Sequence, residues 1–238
     1  MIKPYITLLV LSLLIFASAS PSKTKIKGSG KQVTNVEHVN PSFNCIRVSI
    51  DGQVQLIEGT SGIVNITVYE NHREYIEVVS SGDTLHIRYK DGVSLTKARN
   101  SDTVFMPLAV KYVRNDGSAS VTVKAPVAPD IEVRTSGSGR LELMNVECDN
   151  IYVNASGTGQ INMSGQCREL KIISTNRDKF DCEFLNADEV NITQSGSGTA
   201  VVSPYRTLWI NGGSSGIVVY TGDPDVLGNI TSRVMRKQ

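Results

Sequence analysis

Ile131-Glu-Val-Arg-Thr-Ser-Gly-Ser-Gly-Arg-Leu-Glu-Leu143 is answered twenty residues later by Ile151-Tyr-Val-Asn-Ala-Ser-Gly-Thr-Gly-Gln-Ile-Asn-Met163. Leu170-Lys-Ile172, Val190-Asn-Ile192 with Ser195-Gly-Ser-Gly198, and Leu208-Trp-Ile210 with Gly213-Ser-Ser-Gly216 continue the series. The units start at 131, 151, 170, 190 and 208, so the step never leaves 18 to 20 residues. A fixed period of this size marks a solenoid. It is too short for the strand, helix and strand of a crossover unit. A few apolar side chains on two short strands make no core alone, so each unit must stack on its neighbours through parallel ladders. The fold expected is all-β, a right-handed parallel β-helix-like solenoid.

Within a unit, Ile131, Val133, Leu141 and Leu143 alternate with Glu132, Arg134, Arg140 and Glu142. Period-two alternation sends the first set inward and the second outward. The glycines fall at the corners, where positive φ values are expected. Similar glycine-rich loops hold phosphates when they open a helix, but here each leads into another strand.

Upstream, Met1-Ile-Lys3, the apolar run from Tyr5 to Phe16 and Ala17-Ser-Ala19 have the three regions of a secretory leader, giving 1–19 as a signal peptide. The apolar run is shorter than the ~20 residues needed to span a bilayer, so no transmembrane segment is expected in the mature chain. Residues 20–30 read as a flexible lead-in and 31–227 as the solenoid, with irregular coils over 31–110 and regular repeats over 111–227. Gly92 to Thr103 reads as a surface loop, and 228–238 as a tail that frays or caps the last coil.

Of 238 residues, 24 are basic and 23 acidic, a net charge of +1, which argues against nucleic acid as the main partner. The four cysteines, Cys45, Cys148, Cys167 and Cys182, match no zinc spacing. Cys148 and Cys167 lie one coil apart and make a possible disulfide in an exported protein. His38, His72 and His86 all precede the repeats and form no nucleophile-and-base motif with the serines. Asp149, Glu169, Glu189 and Asp225 recur near coil ends, interleaved with Arg168 and Arg206. Mixed signs at stacked positions suit a solvated ladder of ion pairs better than a metal site, so neither metal nor cofactor is expected.

The outward positions of the first strand in each unit are Glu132, Tyr152, Lys171, Asn191 and Trp209. At ~4.8 Å per coil, Tyr152 and Trp209 stand about 14 Å apart on one face, with Lys171 and Asn191 between them. Outward aromatics flanked by polar groups suit a sugar or a protein partner. Arg177 lies in Thr175-Asn-Arg-Asp-Lys-Phe180, where the other units carry a small-residue corner, and is a further candidate contact.

Gly28-Ser-Gly30, the Phe43-x-x-Ile46-x-Val48 strand and the repeated Ser-Gly-Ser-Gly corners resemble the putative auto-transporter adhesin head domain family, the head GIN domain of exported Bacteroidetes proteins. The likeness runs from about Lys27 to Tyr220. It implies an all-β, β-helix-like fold and a location in the cell envelope or at the surface. No long β-barrel segment follows the head region, so a periplasmic location stands beside surface display. The function expected is an exported, non-enzymatic adhesion or envelope-assembly domain with a cell-surface glycan or protein partner, and homo-oligomers are compatible with its exposed end coils. A structural envelope scaffold is the alternative. A polysaccharide-active β-helix enzyme ranks below both.

Overall fold

The computed structural model describes residues 23–59, 62–98, 100–212, 215–229 and 233–237. The expected leader at 1–19 lies outside the described residues. In the first half the strands are β1 (Thr24–Lys27), β2 (Gln32–His38), β3 (Cys45–Ser49), β4 (Gln53–Glu58), β5 (Ile63–Tyr69), β6 (Ile76–Ser81), β7 (Thr84–Tyr89), β8 (Val93–Thr96) and β9 (Ser101–Met106). The second half holds β10 (Val110–Asn115), β11 (Ser120–Val123), β12 (Val127–Thr135), β13 (Arg140–Ala155), β14 (Gln160–Ser174), β15 (Lys179–Gln194), β16 (Thr199–Asn211), β17 (Ile217–Tyr220), β18 (Asp225–Leu227) and β19 (Arg233–Arg236).

From β10 onward every pairing among the described residues is parallel, and each coil has three faces. Face A carries the register row Ile131, Ile151, Leu170, Val190, Leu208 and Val226. Face B carries Leu141, Ile161, Phe180, Ala200, Val218 and Val234. The short face C stacks Val146, Gly165 and Leu185. Nearly all of these side chains are buried, so the alternation read from the sequence becomes one continuous apolar column. The long strands run through faces B and C and into face A of the next coil, with register shifts at the bends near Leu143 and Asn162.

At the regular corners between faces A and B, from Gly117 to Gly198, glycine is needed for a reason other than the positive φ expected of it. Among the described residues positive φ occurs at A–B corners only toward the two ends of the stack, at Gly52 (φ 100°) and Gly228 (φ 111°), and also at Gly165 (φ 123°) on the bend into face C. At the A–B corners the requirement is close approach: a Cβ on Gly157 would sit 2.1 Å from the carbonyl oxygen of Gly137 in the coil below. Beneath the corners runs a buried row that is polar at Asn115, Thr135, Ser174 and Gln194 and apolar only at Ala155. Its first member bonds the turn directly: Asn115 Nδ2 donates to the Ala119 carbonyl at 2.8 Å, and Gly117 N–H donates to Asn115 Oδ1 at 3.2 Å.

The first coils depart from simple succession. β3 and β4 pair in parallel with β10 and β11 on one side and with β7 and β9 on the other. The earlier coil therefore lies between the two later ones. β5 runs antiparallel to both β9 and β2, and β6 runs antiparallel to β7. A solenoid end leaves strand edges that need cover, and folding back antiparallel supplies it. Alternation specifies which face a side chain takes but not the direction of the neighbouring strand, so this order was not legible in the pattern.

Three segments read as irregular are strands. Within the expected lead-in, β1 pairs in parallel with β8, which itself occupies the expected loop from Gly92 to Thr103 along with the start of β9. A 3₁₀ turn at Glu70–Tyr75 holds β1 in place: Asn71 Nδ2 donates to the Lys27 carbonyl at 2.8 Å, and His72 Nε2 lies 3.2 Å from the Ile26 carbonyl. Within the expected tail, β19 pairs with β17 and extends face B by one layer.

Asp102 is buried, in register with Val54 and Ile66, and its Oδ1 accepts the Thr67 N–H at 3.2 Å. Burial pushes its carboxyl up to about 7, against smaller opposing effects of the Thr67 N–H and of Arg73. Between the ordinary carboxylate value and about 7 the folded chain keeps a proton that the unfolded chain has lost, so this group lowers stability as pH rises through that window.

Two outcomes are expected. Gly157→Ala should destabilise by about 1–3 kcal/mol or more in denaturant melts, whereas Gly82→Ala, with open space around its Cβ and only a φ of 60° to oppose it, should cost about 1 kcal/mol. Equal costs would remove close approach as the reason for the corner glycines. Asp102→Asn should be about 1–3 kcal/mol more stable than the parent at pH ~8, with the gap narrowing toward pH ~5; a gap independent of pH would contradict the buried-carboxyl account.

Candidate functional site

The outward row predicted on the first strand of each unit exists as one register line. Glu132, Tyr152, Lys171, Asn191 and Trp209 are successive Cα partners on face A, and Leu227 continues the line. Tyr152 and Trp209 are 39% and 41% exposed, so each ring is half embedded among neighbours while one side remains open. Three coil steps of ~4.8 Å separate them. Lys171 is exposed, and Asn191 Nδ2 donates to Glu169 Oε1 at 3.1 Å, which fixes the amide on the surface.

The line also extends toward the N-terminus, through Tyr112, Cys45 and Thr84. Tyr112 was accessible to sequence reasoning, since it lies one period before Glu132. Cys45 and Thr84 gave no such signal, because their coils enter the stack out of sequence order. A hollow of about 420 Å³ lies over this end of the line, lined by Thr84, Lys111, Tyr112, Asp130, Glu132 and Tyr152. The Arg134 guanidinium donates to Glu132 Oε1, one of the lining groups, at 2.5 Å and stands 6.0 Å from the Tyr112 ring centre.

Arg177 is exposed but belongs to the A–B corner, where its N–H donates to the Gly157 carbonyl at 3.3 Å. The structure does not bring it into the line of Tyr152 and Trp209. Its corner differs from the others because Asp178 stands where Gly159 and Gly198 lie in the adjacent coils, and Asp178 is buried inward. Burial raises its carboxyl, with the N–H groups of Gly159, Asp178 and Gly157 acting in the opposite direction.

Cys148 and Cys167 are direct register partners, as their spacing requires. Adjacent parallel strands, ~4.8 Å apart, fall within the Cα separation of a disulfide, yet in the structure both are free thiols. Burial pushes Cys148 up to about 11 and Cys167 up to about 12, with Asp149 adding to the first and Cys148 to the second. Both stay protonated and weakly nucleophilic near neutrality.

A further concavity was not legible in the repeat pattern. A groove of about 830 Å³ follows the bend between faces C and A across several coils. One wall is the row Glu147, Gln166, Asn186 and Ser203, and the opposite rim includes Asp149, Arg168, Asp188 and the 75% exposed Tyr205. The expected acidic row is corrected here: Glu169, Glu189 and Asp225 share a line with Asn150 and Thr207, while Asp149 belongs to the bend before it. Arg168 donates to the Asn150 side-chain carbonyl, and Asn150 to Asp130, so polar side chains bond from coil to coil along this rim.

Among the described residues no helix is long and apolar enough to cross a membrane. Comparison of the coordinates with solved structures finds a putative adhesin from Bacteroides fragilis NCTC 9343 with a TM-score of 0.79 at 17% identity, covering 89% of this chain and 100% of that one. A structure described as a putative lipid binding protein from Parabacteroides distasonis ATCC 8503 matches with a TM-score of 0.75 at 18% identity, over 90% and 100% of the two chains. A putative adhesin from Parabacteroides merdae ATCC 43184 gives 0.71 at 18% identity, over 90% and 99%. At such identities these neighbours establish a shared fold. The family model described as putative auto-transporter adhesin, head GIN domain, matches residues 42–224, and the chain belongs to that family.

Proposed function

We propose that this chain is an exported, non-enzymatic binding domain of the cell envelope that holds a cell-surface glycan or protein partner on face A. The observation that carries this reading is the single register line from Tyr112 through Tyr152 to Trp209. Parallel stacking repeats its positions at ~4.8 Å, so an extended partner meets aromatic rings, a lysine and amides at regular intervals on a flat support. Half-embedded rings lose little conformational freedom on binding, which favours them as contact anchors. Membership of an adhesin head family supports both the binding role and the envelope location.

A structural scaffold is the second reading, favoured by one observation. β18 and β19 form the last layer, and among the described residues each pairs with only one strand. An open edge of this kind can accept another copy of the chain. The short strands and the flanking Arg233, Arg236 and Lys237 weaken that tendency.

The double variant Tyr152→Ala/Trp209→Ala should lose glycan or envelope-protein binding by about tenfold or more on arrays and in pull-downs, while each change costs under about 1 kcal/mol of stability. Unchanged binding by a folded double variant would move the contact surface off this line. Purified protein that binds nothing on broad glycan and envelope-protein panels, yet self-associates through β18 and β19, would support the scaffold instead.

A further inference from the structure

Two residues along the strand from the aromatic line runs a second outward row on the same face, and in its first half the row is cationic. His86, Arg47, Arg114 and Arg134 are successive Cα partners on β7, β3, β10 and β12. Like charges stacked on neighbouring strands repel, so three guanidinium groups in a column carry a cost that a purely structural surface would avoid. Carboxylates relieve part of it. Asp116 accepts from Arg47 at 3.0 Å and from Arg114 at 2.8 Å, and Glu132 accepts from Arg134.

The column opens at its upper end into a hollow of about 400 Å³ lined by Lys23, Arg47, His86, Arg88 and Lys90, with Asp91 as the one carboxylate in the lining. Arg88 pairs with Glu77 at 3.0 Å, while Lys23 and Lys90 have no ion pair among the described residues. The column and hollow together bring six permanent cations against Asp91, Asp116, Glu132 and Glu77, in a chain whose total is only +1. The column and hollow therefore carry a local excess of about two positive charges at this end of face A. Burial, followed by the fields of Arg47 and Arg88, lowers the His86 pKa, in keeping with cations converging there.

We propose that this half of face A binds an acidic polysaccharide, its sugar rings resting on the Tyr112–Tyr152 line and its carboxylate or sulfate groups on the arginine column and the basic hollow. The inference rests on the glycan reading of face A and adds the charge class of the ligand. The two rows lie two residues apart on each strand, ~7 Å, and the long arginine side chains reach back across that gap to the oxyanion of a sugar resting on the neighbouring row. The advance from coil to coil is comparable to that of one sugar along an extended chain, so successive acidic units meet successive coils. Arginine forks are matched to planar carboxylate and sulfate oxygens, and the exposed Arg134–Glu132 pair is weak enough to be shared with a ligand, whereas the more buried Asp116 holds Arg47 and Arg114 in place.

The test compares the full chain with Lys90→Gln/Arg134→Gln, both folded by thermal melt, for binding to polygalacturonate, heparin, dextran, single-stranded DNA and phosphatidylglycerol vesicles. The expected result is binding to the two acidic polysaccharides that weakens as salt rises from about 50 to 300 mM, falls about tenfold in the variant, and exceeds binding to dextran, DNA and vesicles. Equal binding to dextran, or acidic binding that the folded variant retains, overturns the proposal. Preference for DNA or vesicles overturns it as well, by removing the carbohydrate from it. If neutral glycans alone bind, and do so through Tyr152 and Trp209, the charge class falls while the glycan reading of face A stands; if no glycan binds, both fall.

Discussion

Everything in this molecule depends on coils that lie one strand spacing apart over their whole circumference, corners included. Along the faces, parallel hydrogen bonding sets that spacing and the apolar columns fill the interior. At the glycine-bearing A–B corners there is no room for a side chain between successive turns, since the carbonyl of one corner already occupies the place of the Cβ of the next. Glycine is therefore a packing requirement at most of these corners, and the corner that lacks it turns Asp178 inward instead. The step stays within 18 to 20 residues because a one-residue change would turn inward side chains outward unless a bend absorbs it, as the register shifts near Leu143 and Asn162 do.

The same register converts sequence period into surface chemistry. Residues one period apart become neighbours ~4.8 Å apart, so a row of outward side chains acts as a line rather than as scattered points. On face A the line through Tyr152 and Trp209 and the adjoining arginine column lie on one rigid support. Side chains held this way need little reordering to meet an extended partner, which lowers the entropic cost of contact. The irregular cap contributes as well, because β7 and β3 bring His86, Arg88 and Arg47 onto the end of the same face.

Much of the site was legible before the fold was known. Glu132, Tyr152, Lys171, Asn191 and Trp209 were found by counting from the repeat, and the register line joins all five. Arg177 stood out in the sequence for breaking the corner pattern, but the structure keeps it in the corner and explains the break through the inward turn of Asp178. The large groove and the basic hollow were hidden because they arise where strands bend or where distant segments meet. Lys23, Arg47 and Lys90 are far apart in sequence and share no period.

The sequence by itself determined the parallel stacking, the inward and outward faces and the glycine corners of the second half, because alternation and period are local properties that survive any choice of neighbour. The order of the first coils, the antiparallel cap, the strand status of β1, β8 and β19, and the cluster of cations at one end of face A were decided only in the tertiary structure. The physical reason is that a strand's pattern specifies which side it buries but leaves open which edge it joins and in which direction. That choice is made by the unpaired edges and exposed apolar rows that the rest of the chain presents.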